Sequence, residues 1–239
     1  MASNPTSPTR PASAREGAPT AVFDVIGTLF TLHRPMTRLV ELGAPQDTLE
    51  LCFAQALRDA FAWSLAGAYR PLAEFLRASL VRTLRSRGVS EQEVDAVMET
   101  FAQLDPADGA TKACQILSGA GWRLMALTNG SEGSTRALLG RADLEDLFTA
   151  VRSADEVKRS KPHPDVYMMA EREAGDGPVW LIAAHAWDIA GAGRAGLRTC
   201  WISDLEGDYL DAYPAPDIRA DGLVVAARKL VGAGSVAAA

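Results

Sequence analysis

Asp24 stands alone among apolar residues in "AVFDVIGTLF" (Ala21–Phe30), with Thr28 four positions on. Other polar residues end apolar runs in the same way: Thr128 and Asn129 close "RLMALTN", Lys161 follows a third run, and His185 and Asp188 follow a fourth. Charged, amide and imidazole groups of this kind could do chemistry together, and a carboxylate among them is one candidate nucleophile. An aspartate can attack carbon, form an ester and so split one hard displacement into two easier steps. It must be ionised to do so, and a buried carboxylate stays ionised only beside cations and hydrogen-bond donors. Lys161 is the natural cation, while Thr28, Thr128 and Asn129 offer hydrogen-bond donors beside it. His185 could donate a hydrogen bond or, titrating near neutral pH, assist a water. Any one of these residues reads equally well as a buried structural polar group, and Asp188 as a helix cap. Their joint placement is what points to a site.

That placement depends on the elements between them. Strand-like runs occupy 21–27, 123–130, 148–155, 179–186 and 198–204, and helical patterns occupy 108–121, 132–142, 164–173 and 187–196. Alternating strands and helices, with strands apolar on both faces, predict a Rossmann-like doubly wound parallel sheet of the α/β class. In such a sheet ligands bind beyond the carboxyl ends of the strands, where all the polar residues above fall. From about Pro35 to Leu104 the pattern is helical instead, as in "DTLELCFAQALRDAFAWSLAG", with Asp47 and Ser90 as candidate N-caps. The expected organisation is a core of 20–33 and 106–233, an all-helical cap of 34–105 inserted after the first strand, a disordered tail over 1–19 and a loose C-terminus over 234–239.

The formal net charge of −6 favours neither nucleic acid nor an anionic membrane surface, although a local pocket can still take an anionic small molecule. No apolar run nears the roughly 20 residues that span a bilayer. The Pro-, Ser- and Thr-rich start lacks the apolar core of a secretory signal. Cys52, Cys114 and Cys200 are too few and too scattered for a disulfide framework, which fits reduced, buried thiols in a cytoplasmic protein.

"FDVIGTLF", "LTNGS", "SKPHPDVY" and "AAHAWDIAGAGRAG" are similar, in order and spacing, to the four motifs of the haloacid dehalogenase superfamily, and most resemble its L-2-haloacid dehalogenase branch. The resemblance covers 20 to about 204 and implies hydrolytic dehalogenation of a short 2-haloalkanoic acid with no metal or cofactor, and a possible homodimer. It implies Asp24 as nucleophile, Lys161 beside it, Asp188 positioning Lys161 or the hydrolytic water, and Tyr167 supporting the site. The phosphatases of the superfamily carry a second acid two residues after the nucleophile and a metal-binding aspartate five residues before the position of Asp188. Here those positions are Ile26 and Ala183, so a phosphatase is the lesser alternative. A halide, unlike an alcohol, leaves without a proton.

The chain also departs from the branch. Ala183-Ala184-His185 replaces Ser-Ser-Asn, and Thr128 replaces a Ser but keeps the hydroxyl. Ungapped alignment places Gln55 where the family's halide-gripping arginine stands. Arg58, one turn further along the same helix, is a possible substitute, with Arg34 and Arg38 weaker ones. These departures keep a second alternative open: a non-catalytic or differently specific protein on the same fold. Phe53, Phe61, Trp63 and Tyr69 form the core of the cap or line an apolar pocket over Asp24, and Trp187 either joins them or packs beneath its motif.

Overall fold

The computed structural model describes residues 17–85 and 88–236. Six parallel strands form one sheet: β1 (Thr20–Phe23), β2 (Arg123–Thr128), β3 (Phe148–Ser153), β4 (Val179–Ala183), β5 (Arg198–Ile202) and β6 (Ile218–Ala220), in the order β3-β2-β1-β4-β5-β6. The order reverses at β1, which pairs with β2 on one side and β4 on the other. The crevice of a doubly wound sheet opens at such a switch point, here beyond Phe23 and Ala183.

Successive side chains of a strand point to opposite faces, and both faces are covered. Ala21, Phe23, Leu124, Ala126 and Ile182 pack into one buried cluster that includes Ala113 and Leu117 of α5 (Ala110–Gly119) and Leu230 of α10 (Leu223–Val236). Val22, Met125, Leu127 and Leu181 pack into the other, against Tyr167 and Ala170 of α8 (Pro164–Ala174) and Ile189 of α9 (Ala186–Arg194). Two further helices, α6 (Glu132–Arg141) and the single turn α7 (Ala154–Val157), follow β2 and β3.

Between β1 and α5 lies the helical insert: α1 (His33–Glu41), α2 (Thr48–Leu65), α3 (Leu72–Leu84) and α4 (Glu91–Glu99). It buries its own cluster, with Leu39, Leu49, Cys52, Ala56, Leu76, Leu80 and Val97 at its centre. α4 opens on a capping box in which Ser90 Oγ accepts from the Glu93 N–H and the Glu93 carboxylate accepts from the Ser90 N–H. Asp47 precedes α2 but makes no side-chain cap bond, contrary to expectation. The insert leaves and returns through a narrow neck. Thr31 N–H donates to the Asp105 carbonyl (2.9 Å), Ala107 N–H donates to the Leu29 carbonyl (2.8 Å), and Arg34 forks onto both oxygens of Asp105 (2.8 Å each).

The expected strands overrun their carboxyl ends by two to four residues, because the loops that follow are themselves buried: Asp24 to Phe30 and Ala184 to Ala186 lie largely inside. β6 and α10 have no counterpart among the expected elements. β6 is three residues with a half-open pattern, too short for alternation to register. Residues 1–16 and 237–239 of the expected tails lie outside the described residues. The rest of those spans is structured, since the Pro19 carbonyl accepts from Arg123 N–H (2.9 Å) and α10 runs to Val236.

Candidate active site

Directly after β1 the chain folds into a tight loop. Asp24 N–H still donates to the Ile182 carbonyl of β4 (3.0 Å), but Leu29 and Phe30 both turn back to donate to the Val25 carbonyl (2.9 and 3.0 Å). Gly27 makes the turn at φ +87°, a region other residues avoid. It has a second duty: a Cβ there would stand 2.7 Å from Cε1 of the His185 ring. The turn brings Thr28 over Asp24. Its hydroxyl donates to Asp24 Oδ2 (2.8 Å) and accepts from the Ala184 N–H (3.0 Å), which ties the ends of β1 and β4 together.

Around Asp24 the strand ends assemble a closed ionic group. Lys161 Nζ lies 3.0 Å from Asp24 Oδ1 and 2.8 Å from Asp188 Oδ2. His185 Nδ1 lies 3.3 Å from Asp24 Oδ2. Tyr167 donates its hydroxyl proton to Asp188 Oδ1 (2.6 Å), an approach that requires Gly191, where a Cβ would stand 2.6 Å from that hydroxyl. Asn129 Oδ1 accepts from the Lys161 backbone N–H (2.8 Å) and so fixes the base of the lysine. Lys161 and Asp188 are 0% exposed and Asp24 is 6%, so these charges interact with little screening.

Burial alone would push the Asp24 carboxyl up, but the Lys161 charge, together with the hydrogen bond and charge of His185, holds it well below the ordinary carboxylate range. Burial likewise disfavours the charged forms of Lys161 and His185. The carboxylates Asp188 and Asp24 outweigh it at Lys161; Asp24, Asp188 and Glu206 outweigh it at His185; both keep their protons above the ordinary pH range for their type. Asp188 is pushed up by burial, with the Lys161 charge opposing. Tyr167, buried beside Asp188, is held as a neutral donor.

Asp24 forms the floor of a pocket of ≈ 290 Å³, counted out to its mouth. Its polar wall is Thr128, Asn129, Gly130 and His185, and the Gly130 N–H donates to the Thr128 hydroxyl (2.8 Å). Its apolar wall is Ile26 and Trp187 from the core side, and Phe53, Leu57 and Leu72 from α2 and α3. Phe61 packs on the Trp187 ring (5.0 Å between centroids), which itself lies 5.4 Å from the His185 ring. The arrangement sets an ionised, largely desolvated carboxylate against an apolar wall.

The sequence profile of the haloacid dehalogenase-like hydrolases matches residues 18–196. The chain belongs to that family. It is 28% identical over 189 residues to (S)-2-haloacid dehalogenase 4A of Burkholderia cepacia, covering 76% of this chain and 81% of the relative. It is 27% identical over 209 residues to (S)-2-haloacid dehalogenase 2 of Pseudomonas sp. (strain CBS-3), covering 84% and 91%. In fold it is similar to the solved L-2-haloacid dehalogenase of Xanthobacter autotrophicus, with a TM-score of 0.80 at 23% identity over 89% of this chain and 98% of that one.

The fold brings Asp24, Thr28, Asn129, Lys161, His185 and Asp188 within one bonded group. Thr128, Ile26 and Trp187 line the pocket above them. Three expected substrate contacts fall elsewhere. Gln55 lies two residues from Phe53, about 200° around a helix. It therefore faces α3, accepting from Ser79 Oγ (3.1 Å) and Arg82. Arg58 is exposed and pairs with Asp59. Arg34 closes the neck and Arg38 pairs with Glu41, so none of the candidate arginines lines the pocket. Tyr167 lies beneath the pocket, not in its wall, and bonds Asp188. Trp63 is 45% exposed, and Tyr69 bonds Asp155 (2.6 Å).

The lining residues that sequence reasoning passed over are Leu57, Leu72 and Gly130. Leu57 had a signal, standing one helical turn from Phe53. Leu72 had none, because α3 meets the pocket only through tertiary packing. The site's donors do not suit Mg²⁺: an ammonium already spans both carboxylates, and among the described residues no cluster of three metal-ligating side chains occurs. Among those residues no helix is long and apolar enough to cross a membrane.

Proposed function

We propose that this protein hydrolyses the carbon–halogen bond of a short 2-haloalkanoate through an ester on Asp24. One observation carries this reading: a buried carboxylate, kept ionised by Lys161, His185 and Thr28, faces an apolar pocket with Ile26 where a leaving-group acid would stand. Asp24 attacks the carbon bearing the halogen, and the C–X electron pair departs with the halide, which needs no proton. The Thr128 hydroxyl and the Asn129 side-chain amide, in the pocket wall at the end of β2, are the donors that would orient the substrate carboxylate. Lys161 offsets the charge of Asp24 and is aligned by Asp188, which Tyr167 holds in turn. The two (S)-2-haloacid dehalogenases that this chain matches along most of its length support the reaction class.

The test is halide release from chloroacetate, bromoacetate and (S)-2-chloropropionate. Turnover should be abolished in Asp24→Asn, and denatured wild-type protein quenched during turnover should carry an added mass on the Asp24 peptide. Absence of halide with all three substrates sinks the reading. A second reading, hydrolysis at another activated carbon on the same nucleophile, is favoured by a pocket wall that, among the described residues, holds no arginine. It predicts the Asp24 adduct from a non-halogenated electrophile.

A further inference from the structure

The ring of His185 sits where the resembled motif has an amide, and its position bears on the second half of the proposed reaction. Nδ1 lies 3.3 Å from Asp24 Oδ2, the ring packs tilted against Trp187 (37° between planes), and a glycine at position 27 leaves room for it. The charges around it are few. Asp24 comes from the end of β1, Lys161 from the loop before α8, Asp188 from α9, and Glu206, exposed and accepting from the Ala186 N–H, from the loop after β5.

Buried charge is costly unless compensated. With Asp24 free, the carboxylates Asp24 and Asp188 are matched by Lys161 and an imidazolium, and Nδ1 faces an ionised oxygen at 3.3 Å. With Asp24 esterified, that oxygen has lost its charge, and the imidazolium loses the carboxylate it directly faces. Its proton is then released more readily, which leaves Nδ1 free to accept one. An asparagine at 185 could not supply the fourth charge or give it up.

We propose that His185 is the general base for the water that cleaves the Asp24 ester, and that forming the ester is what frees its proton. This rests on the ester reading above. In the first half-reaction the bond from Asp24 to substrate carbon forms, halide leaves with its electron pair, and the imidazolium proton passes to solvent. In the second, water attacks the Asp24 carboxyl carbon while Nδ1 takes one of its protons. Collapse breaks the bond between that carbon and the alkyl oxygen, which receives the proton from Nδ1 and departs as the 2-hydroxy acid. The proton of the regenerated Asp24 carboxyl moves to Nδ1, restoring the resting ion pair.

The experiment compares wild type with His185→Asn and His185→Gln, using chloroacetate and following both halide burst and Asp24-peptide mass. Both variants should release about one halide per site and then stall, with kcat down about 10²- to 10⁴-fold and the ester persisting on Asp24. Single-turnover ester hydrolysis should rise with pH through one ionisation in wild type and be flat in the variants. Far-UV circular dichroism reports whether each variant is folded, and a halide burst shows that its first half-reaction is intact. If His185→Asn turns over at the wild-type rate with no accumulating ester, the base assignment is wrong. If neither wild type nor variant releases halide or acquires mass on Asp24, the ester reading itself fails and this one with it.

Discussion

The floor and the roof of the pocket are built on opposite principles. In the floor the charged groups are bonded to one another and to the backbone: Lys161 spans Asp24 and Asp188, Tyr167 holds Asp188, Thr28 joins Asp24 to the backbone of Ala184, and Asn129 pins Lys161. The roof, from α2 and α3, contributes Phe53, Leu57 and Leu72 and no charge. Directional, ionic contacts in a dry environment fail abruptly when one member is lost, because the partner is left buried and unpaired. Apolar contacts degrade gradually with volume and shape. On the proposed reaction, the floor would carry reactivity and the roof selectivity.

Substitutions can break or sharpen that contrast. Asp24→Asn is expected to cost at least about 10⁴-fold in halide release, on the scale of a lost nucleophile, with the fold intact by circular dichroism. Lys161→Met leaves two carboxylates facing each other without a cation. Denaturant unfolding should show a loss of about 3–5 kcal/mol together with loss of activity. Tyr167→Phe removes a charge-assisted bond beneath the site, and about 1.5–3 kcal/mol of stability should go with it. On the roof, Leu57→Ala should shift the kcat/KM ratio for 2-chlorobutanoate over chloroacetate by about 10-fold, the scale of one or two methylenes in an apolar pocket. A 10⁴-fold effect from Leu57→Ala would erase the distinction between the two walls.

A subtler difference is in pH dependence. His185 holds its proton above its ordinary value of 6.5 because of Asp24, so the stability it adds is complete below that value and fades as pH rises through the raised one. Asp24 shows the opposite sign: its contribution is complete above the ordinary carboxylate value of 3.8 and fades only as pH falls well below it. Unfolding free energy of wild type measured from pH 6 to 9 should decline, and His185→Asn should flatten that decline.

The floor was largely legible in the sequence because parallel strands place their carboxyl-terminal residues at one edge by geometry alone. A lone acid at 24, a lysine at 161 and an acid at 188 need only the strand order to meet. The roof was not legible to the same degree. Which side of α2 faces Asp24 depends on how the insert seats, and counting from Asp24 without gaps chose Gln55, on the far side from Phe53 and Leu57. Arg58 went astray because a surface arginine finds the nearest acid, Asp59, whereas Tyr167 meets the site from beneath, through Asp188. Glu206, which bonds the first N–H of α9 from 20 residues away, has no local signature.

The neck at Thr31, Arg34, Asp105 and Ala107 makes the four-helix insert, seen from the sheet, no more than a hairpin loop. Closing a longer loop costs only logarithmically more, so the sheet is nearly indifferent to how many residues hang from that point. A roof of different length or shape could hang from this neck while β1 and its aspartate keep their register. The strand ends and the helices above them are thus separable parts of one fold.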